Sequence, residues 1–486
     1  MKPADPLASS FLSSSAVLLL ALFLAPPTQA QAPGPPDFPM GDAGQSVLPR
    51  QNGLMDGNAI TGAIGPTVIG GETYASLRLQ PTFSVGKFGV GLDVPLMVSL
   101  EDGSFRSEEF TDGVGPLRLI RYLRYGRERQ DPVYVKVGDL SGATLGFGLL
   151  MYQYSNVGSY EKRDWGTEFN LTFNKMVGLE GIYSDFSELS VVGLRPYVRP
   201  LQLAGAEIPI LKNFEVGGLY ATDQSETATP GGSALAAWGA DAGLPISLGP
   251  ILEIVPYAAY ANIADPGTGA FADSVAVDDR FSPGSGASVG VNLSVQLIAD
   301  LLSLSGKIER RFFGGNFTGS YFDAVYETNK LGFRRGQATT HPFRKIADSG
   351  GQDGTFGALY GHLLNRILIG GALQIPDEIS RDPQGRVQNG AFLRLEARAP
   401  DLIPKVSAHA VYNRSPIAEV SDAFILDENS TLDLRVGYEL RPYLLVGTNY
   451  RWTFARVEEG GGEEVKATSH VFPFVALQLN FGQGAR

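Results

Sequence analysis

Over residues 73–85 apolar and polar side chains alternate. Ala75, Leu77, Leu79, Pro81, Phe83 and Val85 hold the odd positions, and Tyr74, Ser76, Arg78, Gln80, Thr82 and Ser84 the even ones. A period of two sends alternate side chains to opposite faces of an extended chain, so this stretch is a strand with one apolar face. After Gly86-Lys87 the apolar set moves to Phe88, Val90, Leu92, Val94 and Leu96. A two-residue turn requires that shift, because the residues flanking it pair and face the same side. The reading is an antiparallel hairpin with Val85 opposite Phe88.

The same pattern recurs along the chain. Val133, Val135 and Val137 enclose Tyr134 and Lys136; Val289, Val291, Leu293 and Val295 enclose Gly290, Asn292 and Ser294; Leu393, Leu395 and Ala397 enclose Arg394 and Glu396. Val406, Ala408, Ala410 and Tyr412 continue it. Leu432, Leu434, Val436, Tyr438 and Leu440 then face one way and Asp433, Arg435, Gly437 and Glu439 the other. Beyond 441–443 the apolar side is Leu444, Val446, Thr448, Tyr450, Trp452 and Phe454, with Asn449 and Arg451 between. Runs of about ten residues match a tilted strand that crosses a bilayer, whereas strands of soluble proteins average about five or six. The expected fold is all-β, a closed antiparallel transmembrane barrel of about 18 strands, with 16 to 20 as the range that even strand numbers allow.

Composition sharpens this picture at the chain's start. Residues 1–30 carry Lys2, a short apolar core over 16–25 and a small-residue site ending at Ala30, the layout of a secretory signal cleaved before Gln31. Residues 31–56 are rich in Pro, Gly and Asp without periodicity and are expected to form a flexible periplasmic extension or a short plug, with the barrel over 57–482. No other run approaches the roughly 18 apolar residues of a membrane helix. The chain has no cysteine, which excludes a disulfide framework and a lipoprotein anchor, and its net charge of −12 argues against a nucleic-acid partner.

Nothing in the sequence points to catalysis. The four histidines, His341, His362, His409 and His470, have no metal-ligand spacing, and no nucleophile motif stands in a fitting context. The expectation is no enzyme activity, no metal and no cofactor. Candidate function instead lies in charge on the polar faces. Arg78, Arg435 and Arg451 fall at similar depth above the short turns, with Asp93 and Glu439 near them, and are expected to line a pore and draw anions. The competing reading is local pairing with Asp433 or Glu439. Arg118, Arg121, Arg124 and Arg127 recur every three residues, which breaks alternation and suggests a short basic helix or irregular loop within an extracellular loop over 100–131. Three placements stay open for these arginines: a constriction folded into the lumen, a strand of the wall, or a surface that binds lipopolysaccharide phosphates.

At the far end Val471, Pro473, Val475, Leu477, Leu479 and Phe481 share a face. This segment resembles the C-terminal strand of porin-like bacterial outer-membrane barrels, although five residues follow the aromatic here, whereas the family places it last. The resemblance implies outer-membrane lipid, lipopolysaccharide, the barrel-assembly machinery and small solutes as partners. It also gives an orientation: with short turns inside, the strands ending at Val85 and Phe481 both run inward, so one outward strand, within 57–69, must separate them. A diffusive channel for small hydrophilic, including anionic, solutes is the leading expectation. The alternatives are a non-channel barrel acting through its loops, in adhesion or envelope assembly, or a transporter of hydrophobic molecules.

Overall fold

The computed structural model describes residues 58–481 except 70–71, 108–109, 111–118, 129–130, 157–163, 189, 226–234, 250, 265–283, 299–300, 316, 324–325, 328–329, 331–350, 352, 365–366, 382–386, 427–429, 442 and 460–461. The signal sequence, the 31–56 extension, Arg118 and His341 lie outside the described residues.

The chain is all-β, and one 22-stranded antiparallel sheet dominates it. The expected hairpin is present, with Val85 paired to Phe88 and Gly86 in the left-handed region at φ +60°. From there each strand of the sheet pairs with the next in chain order. The strand Asn58–Ile69 lies antiparallel to Glu72–Val85 on one side and to Gly462–Phe481 on the other, which is the separating strand that orientation demanded. Followed by its hydrogen bonds, the sheet returns to the strand it began with.

The count of 22 corrects the expected 18. Two paths across the sheet are interrupted and contribute two strands each. Phe88–Leu92 and Val94–Ser99 are separated at Asp93 and both pair with Glu72–Val85. Leu235–Gly243 and Ile246–Leu248 both pair with Leu252–Ala264. With each interrupted path taken once, 20 paths remain.

A second correction concerns the arginine-rich stretch. Ile120–Tyr125 is neither helix nor loop but a strand paired with Phe88–Leu92 and Val133–Gly138. Its alternation is intact once faces are separated: Tyr122 and Arg124 are buried and Leu123 and Tyr125 exposed. Gly89 and Gly91 lie across from Arg124 and Tyr122, and a Cβ on Gly91 would run into the Tyr122 ring, so glycine is needed there for the large side chain to fit.

The two ends of the strands differ. At one end most connections are short, as at Gly86-Lys87, 174–176 and 404–405, with 199–214 a longer exception that carries Pro200–Leu203 and Leu211–Asn213 as short helices. At the other they include 100–119, 139–165, 265–284 and 314–353. Both Asn58 and Phe481 lie at the short-turn end.

Side-chain burial runs opposite to that of a soluble protein. Ile369 is 65% exposed, Ile308 60%, Val289 56% and Trp238 53%, while Arg195, Arg394 and Lys136 are each 1% exposed. Water-soluble folds bury the former and expose the latter. Here the charged face points inward and the greasy face outward.

Candidate functional site

The inward face falls into two sectors. In the first, built by strands from Gly166–Phe173 to Leu302–Phe313, two connections from the long-loop end fold in and fill the interior. Residues 139–156 leave and rejoin the wall at a stem clamped by Asn156, which is fully buried. Its Oδ1 accepts from the Leu140 amide at 2.8 Å, and its Nδ2 donates to the carbonyls of Gly138, Asp164 and Ser184. One buried amide thus ties two ends of the segment to two strands, and leaving any of these groups unpaired would be costly.

The tip is seated on charge. The Gly146 amide donates to Glu180 Oε2 at 3.0 Å, and Lys307 Nζ donates to the Phe147 carbonyl at 3.0 Å. The Phe147 ring stacks on Tyr257 with centroids 4.4 Å apart. Gly146 has φ +55°, and a Cβ there would strike Asp241 and crowd Arg195, so both backbone form and space call for glycine. Beneath it Arg195 Nε donates to both Asp241 oxygens at 3.1 and 2.8 Å, Nη2 reaches Asp241 and Glu215 at 2.6 and 2.8 Å, and Nη1 lies 3.4 Å from Glu180. A buried guanidinium is tolerable only with this density of partners.

The second filling segment begins at Gly314. Met151 and Phe322 form a parallel bridge, the Tyr152 amide donates to the Phe322 carbonyl and the Phe322 amide to the Leu150 carbonyl, each at 3.1 Å. Leu145, Leu149, Leu150, Met151, Phe317, Phe322 and Tyr326 then form one apolar cluster with the wall residues Ile182, Leu219, Ala221, Ala237, Ala259 and Ala261. The alanines are the reason the segments fit: small side chains leave room that larger ones would take. Above the cluster Lys330 Nζ lies 3.1 Å from Asp223 Oδ2 and 2.8 Å from Glu327, and donates to Ser190 Oγ at 3.0 Å. Tyr154 and Tyr326 donate to Glu327 and Asp223 at 2.7 and 2.8 Å. Burial pushes the Glu327 carboxyl above the usual carboxylate range, with Asp223 adding to it and Lys330 opposing. Burial works against the charged form of Lys330, but Glu327 and Asp223 outweigh it and hold its pKa above the usual lysine value.

In the second sector the wall itself carries the charge. Arg394 Nη2 donates to Glu396 at 2.9 Å, and His409 Nε2 lies 3.1 Å from the other Glu396 oxygen. Arg398 approaches Glu396 at 3.8 Å with a quarter of its side chain exposed. Among the expected pore-lining residues, Arg78 and Asp93 are joined. Arg78 Nε donates to Asp93 at 2.8 and 3.0 Å, its Nη2 makes a further short contact, and Asp93 is fully buried. Arg435 and Glu439 are half-buried on the inward face. Arg435 is the register partner of His409 and Asn449, while Arg451, whose side chain lies outside the described set, is the partner of Asp433.

Of the other four arginines, the three that are described do not gather. Arg124 Nη1 donates to the Gly126 carbonyl at 2.6 Å, Arg121 is half-buried over the Tyr122 ring, and Arg127 lies in an exposed turn beside Asp131. In the first sector the interior is filled by 139–156 and the described residues of 314–330 instead. The signal for the first was present in Leu145-Gly-Phe-Gly-Leu-Leu-Met151, too apolar for a solvated loop and without a strand's alternation. Among the described residues no cluster of His, Asp or Glu could hold a metal, and no helix is long and apolar enough to cross a membrane.

No family model matches the chain, and no curated protein matches it in sequence. Among solved structures it is similar to bacterial outer-membrane β-barrels. Wzi of Escherichia coli, an outer-membrane protein involved in group 1 capsule assembly and described as a carbohydrate-binding β-barrel, is 11% identical, with 89% of this chain and 86% of that one covered and a TM-score of 0.37. OccK1 of Pseudomonas aeruginosa is 12% identical over 87% and 97%, with a TM-score of 0.32. CdiB of Acinetobacter baumannii is 8% identical with a TM-score of 0.30; 87% of this chain is covered, and it spans only 60% of that one. Likeness at this level carries nothing about function.

Proposed function

We propose that the chain is a closed, membrane-spanning β-barrel of the bacterial outer membrane that conducts small hydrophilic solutes along the sector its filling segments leave to water. The observation that carries this reading is the inversion of burial: charges inward, large apolar side chains outward around a sheet whose pairing returns to its start. An apolar exterior is stable only in lipid, and a backbone crossing lipid must satisfy every hydrogen bond internally, as a closed sheet does. The partly exposed Arg398, Arg78 and His409 then face a wet passage, while the 145–151 tip narrows it.

The orientation follows from connection length, with short turns toward the periplasm and the long connections outside. Lipid and lipopolysaccharide surround the wall, and the final strand is what the assembly machinery engages. The signal sequence directs the chain across the inner membrane, and cleavage near Ala30 releases it.

The test is current through purified protein in planar bilayers. A steady open current is expected, and replacing 145–152 with a short Gly-Ser link should raise it about two-fold by returning filled cross-section to water. A silent protein that still resists SDS until boiled would leave a barrel without a channel and overturn the conduction reading.

A further inference from the structure

The sheet returns to its first strand along only part of that strand's length. Asn58–Ile69 pairs with Glu72–Val85 over eleven residues but with Gly462–Phe481 over seven, from Asn58 opposite Phe481 to Ile64 opposite Val475. Above that point each strand stays with its other neighbour, residues 65–69 with 72–76 and residues 462–474 with 447–459. Among the described residues the ladder between the two does not resume.

Two prolines explain where it stops. Continued by two residues, the register would set Pro66 opposite Pro473. In an antiparallel ladder each residue turns its N–H and C=O to one neighbour only, alternating along the strand. Pro66 lies inside an unbroken run of pairs with Glu72–Val85, and Pro473 inside an unbroken run with Leu444–Glu459; a proline facing either neighbour would interrupt that run. Both ring nitrogens therefore face the seam, where neither has a hydrogen to donate, and the bonded pair that should follow Ile64 and Val475 is lost. Ile64 stands six residues above Asn58, about 20 Å along the strand and about 15 Å up a wall tilted by about 40°. The seam thus parts in the outer half of an apolar band about 25 Å tall.

The inner face beside the gap is apolar, whereas the rest of this sector carries charge. Tyr74, the register partner of Thr67, forms a buried cluster there with Met97. Ile64 is 50% exposed on the outward face, so its partner Val475 belongs to the lipid-facing series with Pro473 and Val471, and alternation puts Phe472 and Phe474 in the inner series. Backbone groups outside a ladder are tolerated at membrane depth only where they are covered by protein or line a water-filled cavity. A parted seam at this height therefore joins the lumen to the lipid. We infer that it is a lateral opening that takes the alkyl chain of an amphipathic molecule between the outer leaflet and the lumen. The chain meets lipid on one side and the apolar inner face on the other, and its polar head stays in water, so neither part is desolvated at a loss. The inference rests on the membrane-spanning reading of the barrel and not on conduction.

The chain has no cysteine, so introduced pairs report on the seam without background. Ala63→Cys, Ala476→Cys joins positions that the ladder pairs, and Thr67→Cys, Phe472→Cys joins the equivalent positions above its end. Oxidation of each variant in phosphatidylcholine vesicles should link the first pair and leave the second unlinked; equal linkage of the two overturns the opening. Occupancy is read by irradiating the native protein in vesicles that carry a diazirine-bearing fatty acid or, in a second arm, a diazirine-bearing phosphatidylcholine, and mapping attachment by mass spectrometry. Attachment at the inward-facing residues of 74–78 is expected. It should fall by up to about 30-fold in Pro66→Val, Pro473→Val, where two restored hydrogen bonds favour a paired seam. Attachment from the fatty acid identifies a single-chain amphiphile as the occupant, and attachment from the phospholipid alone identifies a chain of the surrounding membrane. Attachment from neither, or attachment unchanged in the double variant, overturns the site. Neither readout needs current, so a silent protein would overturn conduction and leave the opening standing.

Discussion

Arg195 and Arg78 are both inward-facing arginines paired with a fully buried aspartate, yet they sit in different worlds. Arg195 lies under the filling segment, 2% exposed, with Asp241, Glu215 and Glu180 around it. Arg78 stands in the sector proposed to conduct, with 28% of its side chain exposed, and Asp93 also accepts from the Gln80 amide. The same sheet, with the same alternation, thus uses charge in two ways: as a seat for packed chain in one sector and, in the proposed function, as a lining for water in the other. What separates them is whether the connection above folds in.

This contrast is broken most severely by Arg195→Ala. Removing the cation from a buried ionic cluster costs about 3–5 kcal/mol. Asp241 and Glu180 would lose their guanidinium beneath Gly146 while Glu215 keeps Arg199, so both the fold and the seat of the tip should suffer. Urea unfolding in detergent checks the first, and increased current checks the second.

Leu150→Ala should cut more narrowly. Leu150 is 1% exposed within the apolar cluster of the filling segments and lies outside the sheet, and truncating such a residue costs about 2–4 kcal/mol. Because the wall keeps its hydrogen bonds, resistance to SDS should persist while protease reaches 144–153. Simultaneous loss of both would show that filling and wall are one cooperative unit, erasing the distinction drawn above.

Much of the wall was legible beforehand because alternation on a long strand survives any inward choice of side chain. The hairpin at Gly86, the strands around Val135, Val291, Leu395 and Leu434, and the separating strand within 57–69 all follow from it. Ile120–Tyr125 was masked because arginine on both faces imitates a period of three. Of the four strands by which the count fell short, two come from breaks at Asp93 and after Gly243 that divide single paths. The filled sector lay beyond reach for another reason: Gly146 over Arg195, Phe147 on Tyr257 and Met151 beside Phe322 are contacts between distant segments, and no periodicity encodes them.

The anchor at Lys330 sharpens the comparison through pH. Both Lys330 and Glu327 have folded-state pKa values above their usual ones, so each stabilises the native state fully below its unfolded pKa and loses that contribution as pH rises through its folded pKa. For Glu327 the loss begins above about pH 4.5, and for Lys330 only above about 10.5. Between these limits Lys330 keeps its charge beside Glu327 and Asp223, so the segment should hold at neutral pH and loosen in strong alkali, when Asp223 and Glu327 face each other without a cation. Current should rise above about pH 10.5 in the native protein. In Lys330→Met it should already be raised at pH 8.

The smallest effects are expected at Arg78 and Asp93, and they should be unequal. Arg78→Gln removes a half-solvated cation whose charge Asp93 already neutralises, so pore selectivity should shift toward cations only slightly. It also strips a buried carboxylate of its main partner, but Gln80 Nε2 stays 3.2 Å away and water has access from the Arg78 side, which limits the loss to about 1–2 kcal/mol. Asp93→Asn keeps a hydrogen-bonding group in place and frees the positive charge of Arg78 toward the lumen, so stability should change less while selectivity moves toward anions. Urea unfolding and reversal potentials on the two variants measure both quantities. If the variants instead shifted selectivity equally and in the same direction, Arg78 and Asp93 would be acting as a rigid brace of the wall, as Arg195 and Asp241 do, and the water-lined character assigned to this sector would fail at that position.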